Sequence, residues 1–115
     1  MQGKVIVSKF WTQFFSFGKA QAITIFPFIF LLHKRDRQNR ILLNHERIHI
    51  CQALELLVIP FYVWYLTEFL IRFIVLQNFH RAYLRISFEQ EAHKNDQDLN
   101  YLKKRKVFDF LKYLS

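Results

Sequence analysis

Five residues, His45-Glu46-Arg47-Ile48-His49, carry the most chemistry in this chain. On a helix, positions four apart stack one turn above the other, so both imidazoles can reach one metal ion. Glu46 sits beside them, where a carboxylate can take a proton from a metal-bound water. This H-E-x-x-H spacing is the arrangement of a zinc hydrolase.

Two histidines do not complete such a site, because catalytic zinc usually takes three protein ligands and keeps a fourth position open. The downstream candidates are Glu55, Glu89, Glu91 and His93. On a continuous helix Glu55 lies about 80° away from the His45 face. Gln52 shares the histidine face but is a poor zinc ligand. Glu89 lies near a helix start, and His93 one turn on could brace a ligand by a hydrogen bond.

Glu89 can return only if the chain doubles back. A single straight helix from His45 to Leu76 would be about 47 Å long. The segment from Leu76 to Glu89 spans at most about 45 Å fully extended. A reversal at Pro60 removes the conflict. Pro60 lacks an N–H and suits the first turn of a new helix. The metal hypothesis therefore predicts a helical hairpin with arms of about 25 Å.

The elements that must hold these residues follow from patterning. The chain has 115 residues, one domain's worth. It is 52% hydrophobic and 18% aromatic, yet carries a formal net charge of +8; with only two Gly and two Pro, long helices are favoured over a many-turned β fold. The expected fold is mainly α. Residues 1–19 form an N-terminal segment whose Phe10, Trp11, Phe14, Phe15 and Phe17 recur at helical spacing, either seated in a membrane interface or packed on the core. Residues 20–40 hold an extended element (Ile23 to Leu32, split by Pro27) and a basic loop. The H-E-x-x-H helix covers 41–58, an apolar helix 61–78, and a helix carrying Glu89 87–113. Ser87 to Gln90 reads as a capping box, and Glu68 and Arg72 as an i,i+4 pair.

Lys4, Lys9 and Ala20-Gln21-Ala22 hold the ingredients of a cleavable leader. Ser8, Thr12, Gln13 and Ser16 break its apolar core, so the segment reads as mature sequence. Cys51, the one cysteine, excludes an intrachain disulfide and reads as a packed small hydrophobe. Leu54 to Leu76 is long enough for a membrane span. High apolar content with a basic excess fits an anionic lipid surface. It fits nucleic acid poorly, because the aromatics sit in apolar runs and not among basic clusters. Basic residues flank the apolar run on both sides, so they do not orient it.

Glu89-Gln90-Glu91-Ala92-His93, taken with the His45 motif, resembles HExxH zinc metallopeptidases of the gluzincin type, in which the third ligand opens an E-x-x-A-D motif on a later helix. The likeness covers roughly residues 20–106 and is nearest to small integral-membrane peptidase domains. Asn44 to His49, Ala82-Tyr83 and Phe88 to Ala92 are also similar to a group of small bacterial proteins. The resemblance implies a zincin-like mini-domain in which His45, His49 and Glu89 hold Zn²⁺ and Glu46 is general base, then acid. Tyr83, His80 and Arg81 are candidates for an electrophilic helper, Tyr83 first among them. His93 stands where the family has an Asp that orients a zinc-bound histidine. The implied setting is a bacterial inner membrane, with membrane lipid and a peptide or protein substrate as partners. Two other readings stand beside it. One is a non-catalytic membrane or interaction protein with a vestigial or structural metal site, and the other a basic nucleic-acid or lipid-surface binder.

Overall fold

The computed structural model describes residues 3–16, 18 and 20–114. Phe17, counted in the N-terminal pattern, lies outside them. The fold is mainly helical with a small three-stranded sheet near the N-terminus, as expected from composition.

Strands β1 (Lys4–Val7), β2 (Ala22–Ile25) and β3 (Phe28–Leu31) form a sheet in the order β1-β3-β2. β2 and β3 are a hairpin turning at the cis Phe26-Pro27 bond, with Ala22 opposite Leu31 and Ile25 opposite Phe28. β1 adds in parallel, Lys4 opposite Phe28. The sequence reading did not find β1; it treated residues 1–19 as one segment. Gly3 admits the chain to this strand. Its φ is +79°, and a Cβ there would lie 3.1 Å from Ile50 Cγ1 and 3.3 Å from the Pro27 carbonyl. Helix α1 (Lys9–Ser16) begins where the Ser8 hydroxyl accepts from Trp11 N–H at 3.2 Å. It buries Thr12 and rests Phe15 on Phe30, while Phe10, Trp11 and Phe14 stay exposed.

Helix α2 (Arg40–Glu55) packs beneath the sheet. Asn39 caps it by accepting from Leu42 N–H at 3.1 Å. Leu43 and Ile50 meet Ile29 and Leu31 in one core cluster, so the histidine face turns to the other side of α2. The helix stops at Leu57 and Val58, both at positive φ (62° and 69°), with Val58 N–H bonded back to the Ala53 carbonyl at 2.7 Å. Helix α3 (Ile59–Leu76) starts at once, with Pro60 in its first turn.

The chain thus reverses next to Pro60. Phe61 clusters with Ala53, and the Tyr65 ring lies 6.5 Å from that of His49, so later residues of α3 meet earlier residues of α2. Most of α3 is uncovered; Val63, Leu66, Leu70, Ile71, Ile74 and Val75 are all exposed.

Helix α4 (Phe79–Leu84), capped by Asn78, and helix α5 (Ser87–Asn95) follow. The expected single helix over 87–113 is broken. It ends at Asn95, and a turn, a short α6 (Tyr101–Lys104) and a 3-10 turn (Asp109–Tyr113) complete the chain. The Asn/Asp-rich stretch from Asn95 to Asn100 supplies the break: the Asp98 side chain accepts from Asn100 N–H, an alternative to helical bonding. The returning segment drives Phe110 against Phe88 and Trp64.

Candidate metal centre

Four elements converge on one point. α2 contributes His45, Glu46 and His49, α5 contributes Glu89, α3 contributes Tyr65 and β2 contributes Thr24. Two packing choices bring α5 to α2. Phe88 and Ile86 are fully buried in the cluster around Phe61, which turns Glu89 toward α2. Ala92, also fully buried, packs on Ile48, and a methyl there lets the two helices approach closely.

The start of α5 is fixed in an unexpected way. The Ser87 hydroxyl does not cap the helix; it donates to Glu68 Oε2 at 2.5 Å, and Ser87 N–H donates to Glu68 Oε1 at 2.9 Å. A carboxylate from the apolar helix therefore caps α5, which suits the positive end of a helix dipole. The capping box is not formed: Gln90 turns outward to the Arg85 carbonyl. Nor do Glu68 and Arg72 pair as expected, because Arg72 donates to the Leu114 carbonyl.

His45, His49 and Glu89 meet, with one ligand-capable atom from each lying within 4.8 Å of the others. His45 Nε2 is 3.1 Å from Glu89 Oε1, and His49 Nε2 is 3.1 Å from Glu89 Oε2. All three residues are buried. The second nitrogen of each ring is already engaged. His45 Nδ1 is 3.2 Å from Asp96 Oδ2, and His49 Nδ1 is 2.8 Å from Gln52 Oε1. Acceptors at both Nδ1 atoms make these the protonated nitrogens, and both Nε2 lone pairs then face inward. His49 Nε2 is buried with no partner in hydrogen-bond geometry among the described residues; Glu89 Oε2 is close but poorly angled. Two imidazole lone pairs and a carboxylate aimed at one another require a cation between them, or protons. An N₂O donor set of this kind suits zinc.

Without metal, protons fill that need. Burial pushes the His49 imidazolium down, but the Glu89 carboxylate more than offsets it and, with Glu46, holds the group up at about 9. His45 is raised too, its burial outweighed by the bond to Glu89. Burial works against the Glu89 carboxylate, yet the two histidines hold it well below the usual range.

Glu46 lies at the same cleft, its Oε1 accepting from the Thr24 hydroxyl at 2.7 Å. The cleft, about 1090 Å³, runs between β2 and the α3–α4 corner and is lined by Ile23, Tyr62, Leu66, Phe79 and Tyr83 around the histidines. Tyr83 and His80 both border it; Arg81 is not among the described lining residues. Burial, then the Glu89 and Glu46 charges, push the Tyr83 phenol above its ordinary range, so it stays a donor.

Glu55 and Glu91 are not drawn to the site. Both pair with Arg105, Glu91 through a fork that Tyr101 joins at 2.6 Å. His93 is half exposed and braces Glu89 by bonding its carbonyl at 2.9 Å, with the ring 4.5 Å from that of His45. Cys51 is half-buried beside Arg105.

Four residues escaped the sequence reading, the first being Thr24, which binds Glu46. Asp96 supports His45. Gln52 supports His49. Tyr65 donates to Glu89 Oε2 at 2.5 Å. Gln52 was visible on the histidine face; Asp96 and Tyr65 gave no signal of their own. No family model, curated protein or solved structure matches the chain.

Proposed function

We propose that the chain is a membrane-associated, zinc-dependent metallopeptidase-like protein of the gluzincin type that hydrolyses a peptide bond. One observation carries this: two inward Nε2 atoms, each with its ring's other nitrogen already hydrogen-bonded, converge with a buried carboxylate. His45, His49 and Glu89 would hold the ion. Bound zinc supplies Lewis acidity that activates water and polarises a carbonyl.

The chain's own groups do the rest. Glu46 takes the proton of the attacking water and returns it to the leaving amine. The Thr24 hydroxyl occupies Glu46 Oε1 and so directs Oε2 to the proton transfer. Tyr83, kept protonated, donates to the oxygen that gains charge. Asp96 and Gln52 hold the imidazoles in one tautomer.

Support for a lipid partner comes from α3. It is long and apolar enough to cross a membrane by length and composition, and its mean hydropathy is 1.5 with 6% buried. Exposed Phe10, Trp11 and Phe14 on α1, with the +8 charge, favour an anionic leaflet such as that of a bacterial inner membrane.

The test is zinc content of purified protein, followed by proteolysis of a peptide library in lipid vesicles. Glu46→Gln should keep about one zinc per chain and lose turnover at least about 100-fold. Absence of zinc from wild type and from protein refolded with zinc overturns the proposal. Retained zinc without turnover leaves the structural-metal reading.

A further inference from the structure

The side chain that orients His49 is itself oriented from a distance. Gln52 is fully buried, and an amide can face either way. Its Nε2 donates to the Phe88 carbonyl at 3.1 Å and to Glu91 Oε1 at 2.9 Å. Both partners are acceptors only, so neither can receive the amide oxygen. Oε1 is forced toward His49 Nδ1, which must then carry the ring proton. Reversing the amide would put an NH₂ group against Nδ1 and turn the ring's proton to Nε2, the nitrogen that faces Glu89.

Phe88 contributes a backbone carbonyl that any residue would supply. Glu91 is different. It is fully buried, and both of its oxygens are engaged: Arg105 spans them, from Nε to Oε2 and from Nη2 to Oε1 at 3.0 Å, and the Tyr101 hydroxyl donates to Oε2. The far side of Arg105 is held by Glu55, Nη1 to Oε2 at 2.7 Å. Glu55 also accepts Phe108 N–H at 3.0 Å. A planar guanidinium that fits a carboxylate with two parallel bonds fixes the carboxylate plane as a lysine could not.

We propose that Glu91, clamped by Arg105, is a positioning residue that sets the tautomer of His49 through Gln52. This deepens the zinc reading and rests on it. The chain of bonds runs Glu55–Arg105–Glu91–Gln52–His49, and it makes the C-terminal segment part of the metal site although it supplies no ligand.

The experiment measures zinc affinity by competition with a chromophoric chelator. Long-range ¹H–¹⁵N spectra of the zinc-loaded protein show which His49 nitrogen is metallated. Glu91→Gln keeps the shape but lets the Gln52 amide turn; affinity falls about 10- to 100-fold and His49 loses its single Nε2-bound state. The exchange variant Gln52→Glu with Glu91→Gln keeps charge and volume. It again places an acceptor at His49 Nδ1 and a donor behind it, but it sets a carboxylate oxygen against the Phe88 carbonyl, so affinity recovers only in part, at least about threefold above Glu91→Gln, with Nε2 ligation alone. Arg105→Lys costs about tenfold.

A folded Glu91→Gln protein that binds zinc as tightly as wild type overturns the inference. So does a folded exchange variant as weak as Glu91→Gln. If Glu91→Gln does not fold, Arg105→Lys decides: an affinity about tenfold lower with mixed His49 ligation supports the assignment, and wild-type affinity with Nε2 ligation alone overturns it. Wild type that takes up no zinc refutes the reading of the site itself, a result distinct from any variant's behaviour.

Discussion

Zinc uptake should displace protons, and the structure says from where. In the metal-free protein His49 faces Glu89 and stays protonated up to about pH 9. Zinc binds only neutral imidazole. At pH 7.5 binding must therefore release close to one proton from His49, plus a share from His45, which is also raised. The apparent zinc affinity should climb about tenfold or more per pH unit between pH 6.5 and 9. Ordinary histidines near 6.5 would give an affinity almost flat above pH 7.5. Calorimetric titration in buffers of different ionisation enthalpy counts the protons directly. Stability of the metal-free protein should move the opposite way. The His49 value is raised on folding, so its contribution is complete below 6.5 and is lost as pH rises through about 9. Glu89 is lowered, so its contribution is present above the usual carboxylate range and is lost as pH falls. The rise from 6.5 to about 9 corresponds to about 3 kcal/mol, shared with Glu89 as one ion pair. A melting temperature falling by on the order of 10 °C between pH 6 and 9.5 follows, and zinc should abolish that fall. A proton count near zero at pH 7.5, with flat affinity above it, would refute the convergent geometry.

Three further outcomes follow. Asp96→Asn weakens the support of His45 Nδ1, and zinc affinity should drop about 10- to 100-fold by chelator competition with little change in circular dichroism. Gly3→Ala forces a left-handed backbone on an L side chain and presses Ile50, so chemical denaturation should show a loss of at least about 1 kcal/mol. Ile74→Glu places a charge on the exposed face of α3; co-sedimentation with anionic vesicles should fall severalfold while zinc stoichiometry stays unchanged.

The convergence of the three candidate ligands was legible because it is local or follows from distance. His45 and His49 are one turn apart, and Glu89 is admissible only if the chain reverses near Pro60, as it does. The turn itself was not legible. With no glycine available, Leu57 and Val58 adopt positive φ, a conformation their side chains disfavour, and the Val58 N–H bond to the Ala53 carbonyl closes the turn. β1 was hidden because its four residues mean little without β3, twenty-odd positions away. Asp96 was hidden by a helix that ends sooner than its apolar pattern, and Tyr65 by the aromatics around it. Glu68 was read as half of an i,i+4 pair with Arg72, since that spacing says nothing of a partner on another helix. For β1, Tyr65 and Glu68 a contact between segments distant in sequence overrode a local preference; the early end of α5 is instead a local bond, Asp98 to Asn100.

The bonds from Glu68 to Ser87 and from Tyr65 to Glu89 make α3 more than an apolar rod. A rigid tie at two points, one turn apart on α3, couples the tilt of that helix to the position of a ligand oxygen. Mismatch between helix length and bilayer thickness is one of the forces on the tilt of an embedded helix. Were α3 embedded as proposed, thinner or thicker lipid would thereby press the Glu89 carboxylate against the two rings, and lipid chain length would bear on the grip on an ion held there.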